Sequence, residues 1–169
     1  MKESKILHIV RHAKSSWDYE NISDLDRPLK SKGIINACEM ARRMKSKNIL
    51  PSLIITSPAN RALHTAIIFA RVIELSFNQF RIDPEIYGSD EDDLYRMIKS
   101  LDNEFHSVMI FGHNPEFTGL ANFFTREPID EVPACGVVSI FFNTDKWQEI
   151  GKDKVTKVYF DFPKKEIQV

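Results

Sequence analysis

Short runs of β-branched and large apolar residues alternate along this chain with stretches whose apolar residues recur at helical spacing. "KILHIV" (5–10), "SLIIT" (52–56) and "SVMIFG" (107–112) read as strands buried on both faces, and "QFRID" (79–83) as a weaker one. Near-continuous apolar strands are the mark of a parallel sheet covered by helices, since half-solvated strands alternate instead. The intervening segments supply those helices. Ile34, Ala37, Cys38, Ala41 and Met44 form the inward stripe of a helix over 31–47. Ala59, Ala62, Leu63, Ala66, Ile67, Ala70 and Ile73 form a second, with Ser57 as cap and Pro58 at its start. "SDEDDLYRMIKSL" (89–101) has an acidic first turn that suits the helix dipole, and turns Leu94, Met97, Ile98 and Leu101 inward. A fourth helix begins at Asn114 and Pro115 and buries Phe117, Leu120, Ala121 and Phe124. This order predicts an α/β three-layer sandwich, a mostly parallel central sheet flanked by helices with right-handed crossovers. After residue 124 the alternation stops. "VVSIFF" and "KVTKVYFDF" have no helix between them and predict antiparallel strands near the C-terminus.

A chain of 169 residues suits one domain, 1–169, with enough core to need no disulfide or metal. With 23 basic and 24 acidic side chains, the net charge of −1 gives no global attraction to nucleic acid or a membrane surface. No apolar run approaches the ~20 residues that span a bilayer. The N-terminus lacks a signal-peptide pattern, so a cytoplasmic location is expected and the Asn21-Ile22-Ser23 sequon carries no meaning. Cys38 falls on a helix stripe as a small core residue. Cys135 precedes Gly136 in a turn-like stretch where a thiol could be reactive.

In open α/β sheets, ligands bind beyond the carboxyl ends of the strands. Arg11 and His12 follow the first strand; Ser57, Pro58 and then Arg61 follow the second; Gly112 and His113 follow the strand at 107–112. Two arginines and two histidines thus converge on one sheet edge from three strand ends. That explains why an apolar strand stops at two groups costly to desolvate: the edge is where an anion would sit. A transferring phosphoryl group spreads charge over three oxygens, which guanidinium forks match. One imidazole can attack while another donates as a cation, and the free amides opening the helix after His113 add partial positive charge. This set needs neither cofactor nor metal. The long polar loop 13–30 lies beside the same edge, and long ordered loops are often functional.

"IVRHAKSSW", "DLDRPLKSKG", "SPANRALHTA" and "MIFGHNP" together resemble the histidine phosphatase superfamily, and within it the short SixA-type phosphohistidine phosphatases. The matching motifs run from Ile6 to Leu120. The resemblance implies a phosphoglycerate-mutase-like fold, with His12 the nucleophile that is transiently phosphorylated and Arg11, Arg61 and His113 completing the phosphate pocket. Water would then release phosphate. Arg27 and Pro28 match a recurrent "RPL" segment and are read as organising the 13–30 loop.

Two positions depart from the family pattern. Ala13 stands where many members have Gly, and Asp18 where the mutase branch has a phosphate-binding Asn. Glu85 lies roughly where mutase-like relatives place a general acid, in a poor motif. A weak acid matters less when the leaving group is an imidazole, so a protein-borne phosphohistidine is the expected substrate, with small phosphorylated compounds as the alternative. Two further readings stay open: a phosphate-binding module without turnover, and a metal hydrolase. His8 and His12 have H-x-x-x-H spacing, but that suits zinc on a helix rather than a strand, and His64 and His106 stand at no zinc-ligand spacing. "DEDDL" (90–94) is explained by an acidic helix start, and the Phe-rich segments by the core. A mutase would need a closed site that excludes water.

Overall fold

The computed structural model describes residues 4–164. Among them the regular elements are β1 (Lys5–Arg11), α1 (Ser31–Ser46), β2 (Leu53–Thr56), α2 (Asn60–Val72), β3 (Phe80–Ile82), α3 (Glu91–Lys99), β4 (Ser107–Gly112), α4 (Glu116–Phe124), β5 (Val137–Phe142) and β6 (Val155–Asp161), joined by short 3-10 turns. The strands form one sheet in the order β3-β2-β4-β1-β5-β6. β1 to β4 are mutually parallel, β5 runs antiparallel to β1, and β6 antiparallel to β5. The expected α/β sandwich, with its antiparallel C-terminal strands, is what the chain adopts.

The sheet has a core on each face. Leu7, Ile9, Val108 and Ile110 meet Leu94 and Ile98 of α3 and Phe117, Leu120 and Phe124 of α4. On the other face Val10, Ile54, Met109 and Phe111 meet Met40 and Met44 of α1 and Ala66 and Phe69 of α2. All six residues of β4 are buried, as its central place requires.

Several local readings need correction. Ile34 is 37% exposed and Cys38 only half-buried, while Gly33 and Met40 face the core, so the α1 stripe sits about one position from where spacing puts it. In α2, Leu63, Ile67 and Ala70 are half-buried, whereas Arg61, Thr65, Ile68 and Phe69 are buried. α2 begins at Asn60 and not at Pro58; the Ser57 hydroxyl accepts instead from the Ala59 N–H (3.2 Å) in the turn before it. At α4 the cap position falls on Pro115, and Asn114 Oδ1 accepts from the Thr118 N–H (3.2 Å) and hydroxyl (2.9 Å). Asp90, one residue after Ser89, caps α3 in a reciprocal box with Asp93.

This topology fixes where a ligand can lie. β1 and β2 are followed by helices on one face and β4, which separates them, by a helix on the other. Chains leaving adjacent strands toward opposite faces open a crevice at the carboxyl edge, the switch point of α/β sheets.

Candidate active site

Backbone bonds fix the strand ends that border this crevice. The His12 N–H donates to Gly112 O (3.0 Å) and the Ser57 N–H to Phe111 O (3.0 Å). The Arg11 N–H donates to Gly136 O (3.2 Å), and His12 O accepts from the Cys135 N–H (3.0 Å). β1, β2 and β4 are therefore tied together one residue beyond the sheet, with little freedom to separate.

The His12 and His113 rings lie 5.5 Å apart, centroid to centroid, and His12 feels the charges of both Arg11 and Arg61. Nδ1 of His12 is 2.7 Å from Ala13 O. A carbonyl can only accept, so Nδ1 carries the proton and Nε2 keeps the lone pair. Burial lowers the His12 pKa to about 3; the Ala13 bond opposes this, and His113, Arg61 and Arg11 reinforce it. His113 is lowered to about 4, again by burial first, then by Arg61. Both imidazoles are thus neutral near pH 7 in this arrangement.

Arg61 is 6% exposed, and its Nη1 and Nη2 donate to Asp24 O (2.6 Å) and Asp24 Oδ2 (3.0 Å). Arg11 Nη1 donates to Glu131 Oε1 (3.1 Å) and Val132 O (3.0 Å). His113 Nε2 lies 2.7 Å from Ser57 Oγ. Among the described residues, two buried side-chain polar atoms lack a partner: Arg11 Nε and His113 Nδ1. Such atoms are rare, and each costs about 1–3 kcal/mol. Both belong to the side chains gathered around His12.

Second contacts hold this group in place. Ala13, fully buried, donates its N–H to Thr65 Oγ1 (3.0 Å), and Thr65 donates to Arg61 O (2.7 Å), linking the turn after His12 to the first turn of α2. Arg27 donates to Ser16 O (3.2 Å), Ser15 Oγ (2.6 Å) and Asp24 Oδ1 (3.1 Å), and stacks on Trp17. It organises the 13–30 loop as its place in the sequence suggests.

Other singled-out residues lie elsewhere. Asp18 is exposed, its N–H bonded to Ser16 Oγ. Glu85 is exposed in a cleft of about 650 Å³ that it shares with Tyr87, Asp93 and Arg96, and it has no hydrogen bond to His12, His113, Arg11 or Arg61. Cys135 is fully buried and burial pushes its thiol pKa up, so it is not the reactive group that its turn position suggests. His8 is buried within the sheet between Ser139 Oγ (2.7 Å) and Ser107 Oγ (3.0 Å), away from His12. Among the described residues, no group of three His, Cys, Asp or Glu side chains gathers as a metal site, and no helix is long and apolar enough to cross a membrane. Sequence reasoning missed Asp24, Tyr87 and Glu131, and read Ser57 as a cap at the same sheet edge without a tie to His113. Asp24 does lie in the "DLDRPL" segment, yet nothing local marks it as Arg61's partner.

A model of the histidine phosphatase superfamily (branch 1) matches residues 7–109. An uncharacterized chloroplastic protein of Arabidopsis thaliana is 27% identical over 154 residues, which are 86% of this chain and 70% of that protein. Among solved structures, a SixA-type protein from Agrobacterium tumefaciens superposes with TM-score 0.80 at 22% identity, over 95% of this chain and 99% of the other. The protein histidine phosphatase SixA in complex with tungstate gives 0.73 at 21% identity, over 93% and 94%. A phosphoglycerate mutase from Bacillus anthracis gives 0.64 at 15% identity, over 85% and 90%. At these identities the likeness is one of fold.

Proposed function

The chain belongs to branch 1 of the histidine phosphatase superfamily, and on that premise we propose that it is a metal-independent phosphatase, one domain acting on phosphohistidine borne by a protein. His12 is the nucleophile; Arg11, Arg61 and His113 hold the phosphoryl oxygens. The observation that carries this reading is the Nδ1 bond of His12 to Ala13 O (2.7 Å), which leaves a neutral Nε2 lone pair beside two arginines.

In the first step Nε2 of His12 forms a bond to phosphorus as the substrate's P–N bond breaks. The departing imidazole keeps the electron pair and takes up a proton from water. In the second step a water oxygen bonds to phosphorus, the His12–phosphorus bond breaks, and the water's proton returns to solvent with inorganic phosphate. The arginines stabilise charge on the equatorial oxygens in both steps. A dianion between them also favours protonation of His113, which would then donate as a cation.

Two features support a phosphoramidate over an ester. An alkoxide leaving group calls for a general acid, and the carboxylate on Arg61, Asp24, is held at about 2 by Tyr87, Arg61 and Arg27 against its desolvation, so it is ionised at neutral pH, while Glu131 is itself paired with the Arg11 guanidinium. Glu85, in the cleft beyond Tyr87, has no hydrogen bond to His12, His113, Arg11 or Arg61. Asp24 and Tyr87, at the edge of the site, are exposed to solvent, as approach of a protein-borne group requires. The solved SixA holds tungstate, an oxyanion of phosphate-like shape, in keeping with an anion cradle.

Acid-labile ³²P trapping tests the proposal. Label is expected on wild type and absent from His12→Ala, whose turnover should vanish; an equally labelled His12→Ala ends the case for His12. Faster turnover of a phosphohistidine protein than of simple phosphate esters, undiminished by chelator, is expected on the same preparation.

A further inference from the structure

Both arginines beside His12 are gripped from outside by a carboxylate, Arg11 by Glu131 (3.1 Å) and Arg61 by Asp24 (3.0 Å). The two grips differ in kind. Glu131 is an exposed partner of one nitrogen, whereas Asp24 receives both terminal nitrogens of Arg61, one on its carboxylate and one on its backbone oxygen. Its other carboxylate oxygen accepts from Arg27 (3.1 Å), and Tyr87 Oη donates to Oδ2 (2.7 Å). Tyr87 in turn packs edge-on against the His113 ring, with centroids 5.6 Å apart. Asp24 thus ties together the 13–30 loop, the start of α2 and the turn after β3, all at the mouth of the cradle.

We propose that Asp24 is a positioning residue for phosphoryl transfer: it fixes the Arg61 guanidinium in the plane that receives the phosphoryl oxygens. The inference rests on the functional reading above and adds to it a residue that never touches the reacting atoms. A guanidinium has five N–H donors. Asp24 takes two, so at most three remain for a phosphoryl group. Without that grip the long Arg61 side chain would sample rotamers in which the remaining donors point elsewhere, and stabilisation that depends on exact placement falls steeply with small displacements. The loss should appear in the transition state more than in ground-state binding, because the extended trigonal phosphoryl group is the species the guanidinium must span. Asp24 is half-exposed on a polar turn, so its replacement opens no core.

Turnover of phosphoramidate, a small substrate that avoids docking effects, is measured for wild type, Asp24→Asn, Arg61→Ala and the double variant. Asp24→Asn is expected to lower kcat about 10-fold with KM within about twofold, at an unchanged melting temperature. In the Arg61→Ala background it should change nothing further, the sign that Asp24 acts through Arg61. Tyr87→Phe, which removes one hydroxyl, should lower kcat in the same direction by less. The same 10-fold loss in both backgrounds, or an unchanged or higher kcat for Asp24→Asn, overturns the positioning role while wild-type turnover leaves the functional reading intact. Tungstate titration of the same proteins needs no turnover. A wild type that neither hydrolyses phosphoramidate nor binds tungstate sinks the functional reading and this inference with it.

Discussion

A histidine whose ring is buried and whose Nδ1 proton is committed to a carbonyl behaves unlike one in water. His12 is neutral down to a pH near 3 and His113 to near 4, where a free imidazole would protonate at about 6.5. The sign matters for activity. For the proposed nucleophile, a lowered pKa means that the lone pair is available across the whole range above about pH 5, so acid inactivation should begin late. In a profile of kcat/KM against pH, which reports groups of the free enzyme, the acid limb due to His12 is expected below pH 5. A limb centred near 6.5 that disappears in no other variant would mean that His12 is solvated. The gathering of the four proposed site side chains was legible in the sequence because Arg11, His12 and His113 stand at strand ends and Arg61 in the first turn of the helix after one, which are local properties. Their protonation was not legible, since it depends on how much protein covers each ring.

At the scale of elements, the pairing of β1 with β4 places His12 beside His113, and the opposite departures of α1 and α4 open the crevice between them. The strands and their succession along the chain could be read from apolar runs, whereas their order across the sheet could not. Helix faces were read less well, for a definite reason. Arg61 and Thr65 are polar and buried, because that side of α2 meets the 13–30 loop and the turn after His12 rather than solvent. Apolar periodicity assigns such positions to water. α1 shows the same effect in Gly33, which is buried although its neighbour Ile34 is 37% exposed. A methyl on Gly33 would run into the backbone of Lys14, two residues after His12. Gly33→Ala should therefore destabilise by about 1–3 kcal/mol, as overpacking against rigid backbone does, and lower kcat by shifting the His12 turn. Urea melts and turnover check this, with Ile35→Ala, 67% exposed, as the silent control. A Gly33→Ala protein with wild-type midpoint and kcat would show that the contact yields freely.

For the whole molecule, three buried neutral histidines make stability depend on pH. His8, enclosed by the sheet, is lowered to about 3 by burial, alongside His12 and His113. The unfolded chain takes up these protons near pH 6.5 and the folded one only near 3 to 4. Stability is accordingly full above about pH 6.5 and declines as pH falls toward 4, by up to about 1.4 kcal/mol per pH unit for each histidine. Denaturant midpoints at pH 7.5, 6.5, 5.5 and 4.5 should trace that decline, and His8→Asn should make it shallower; a flat series from 6.5 to 4.5 contradicts it. By itself the sequence determined the strands, their succession along the chain and the cationic side chains at one edge, because periodicity and position at a strand end are properties of neighbouring residues. Tertiary structure alone decided who holds them: Asp24 grips Arg61 across 37 residues, Ser57 faces His113 across 56, and Glu131 meets Arg11 across 120. Those pairings, and the neutral state of both imidazoles, follow from distance and burial between segments remote in the chain, which no local pattern encodes.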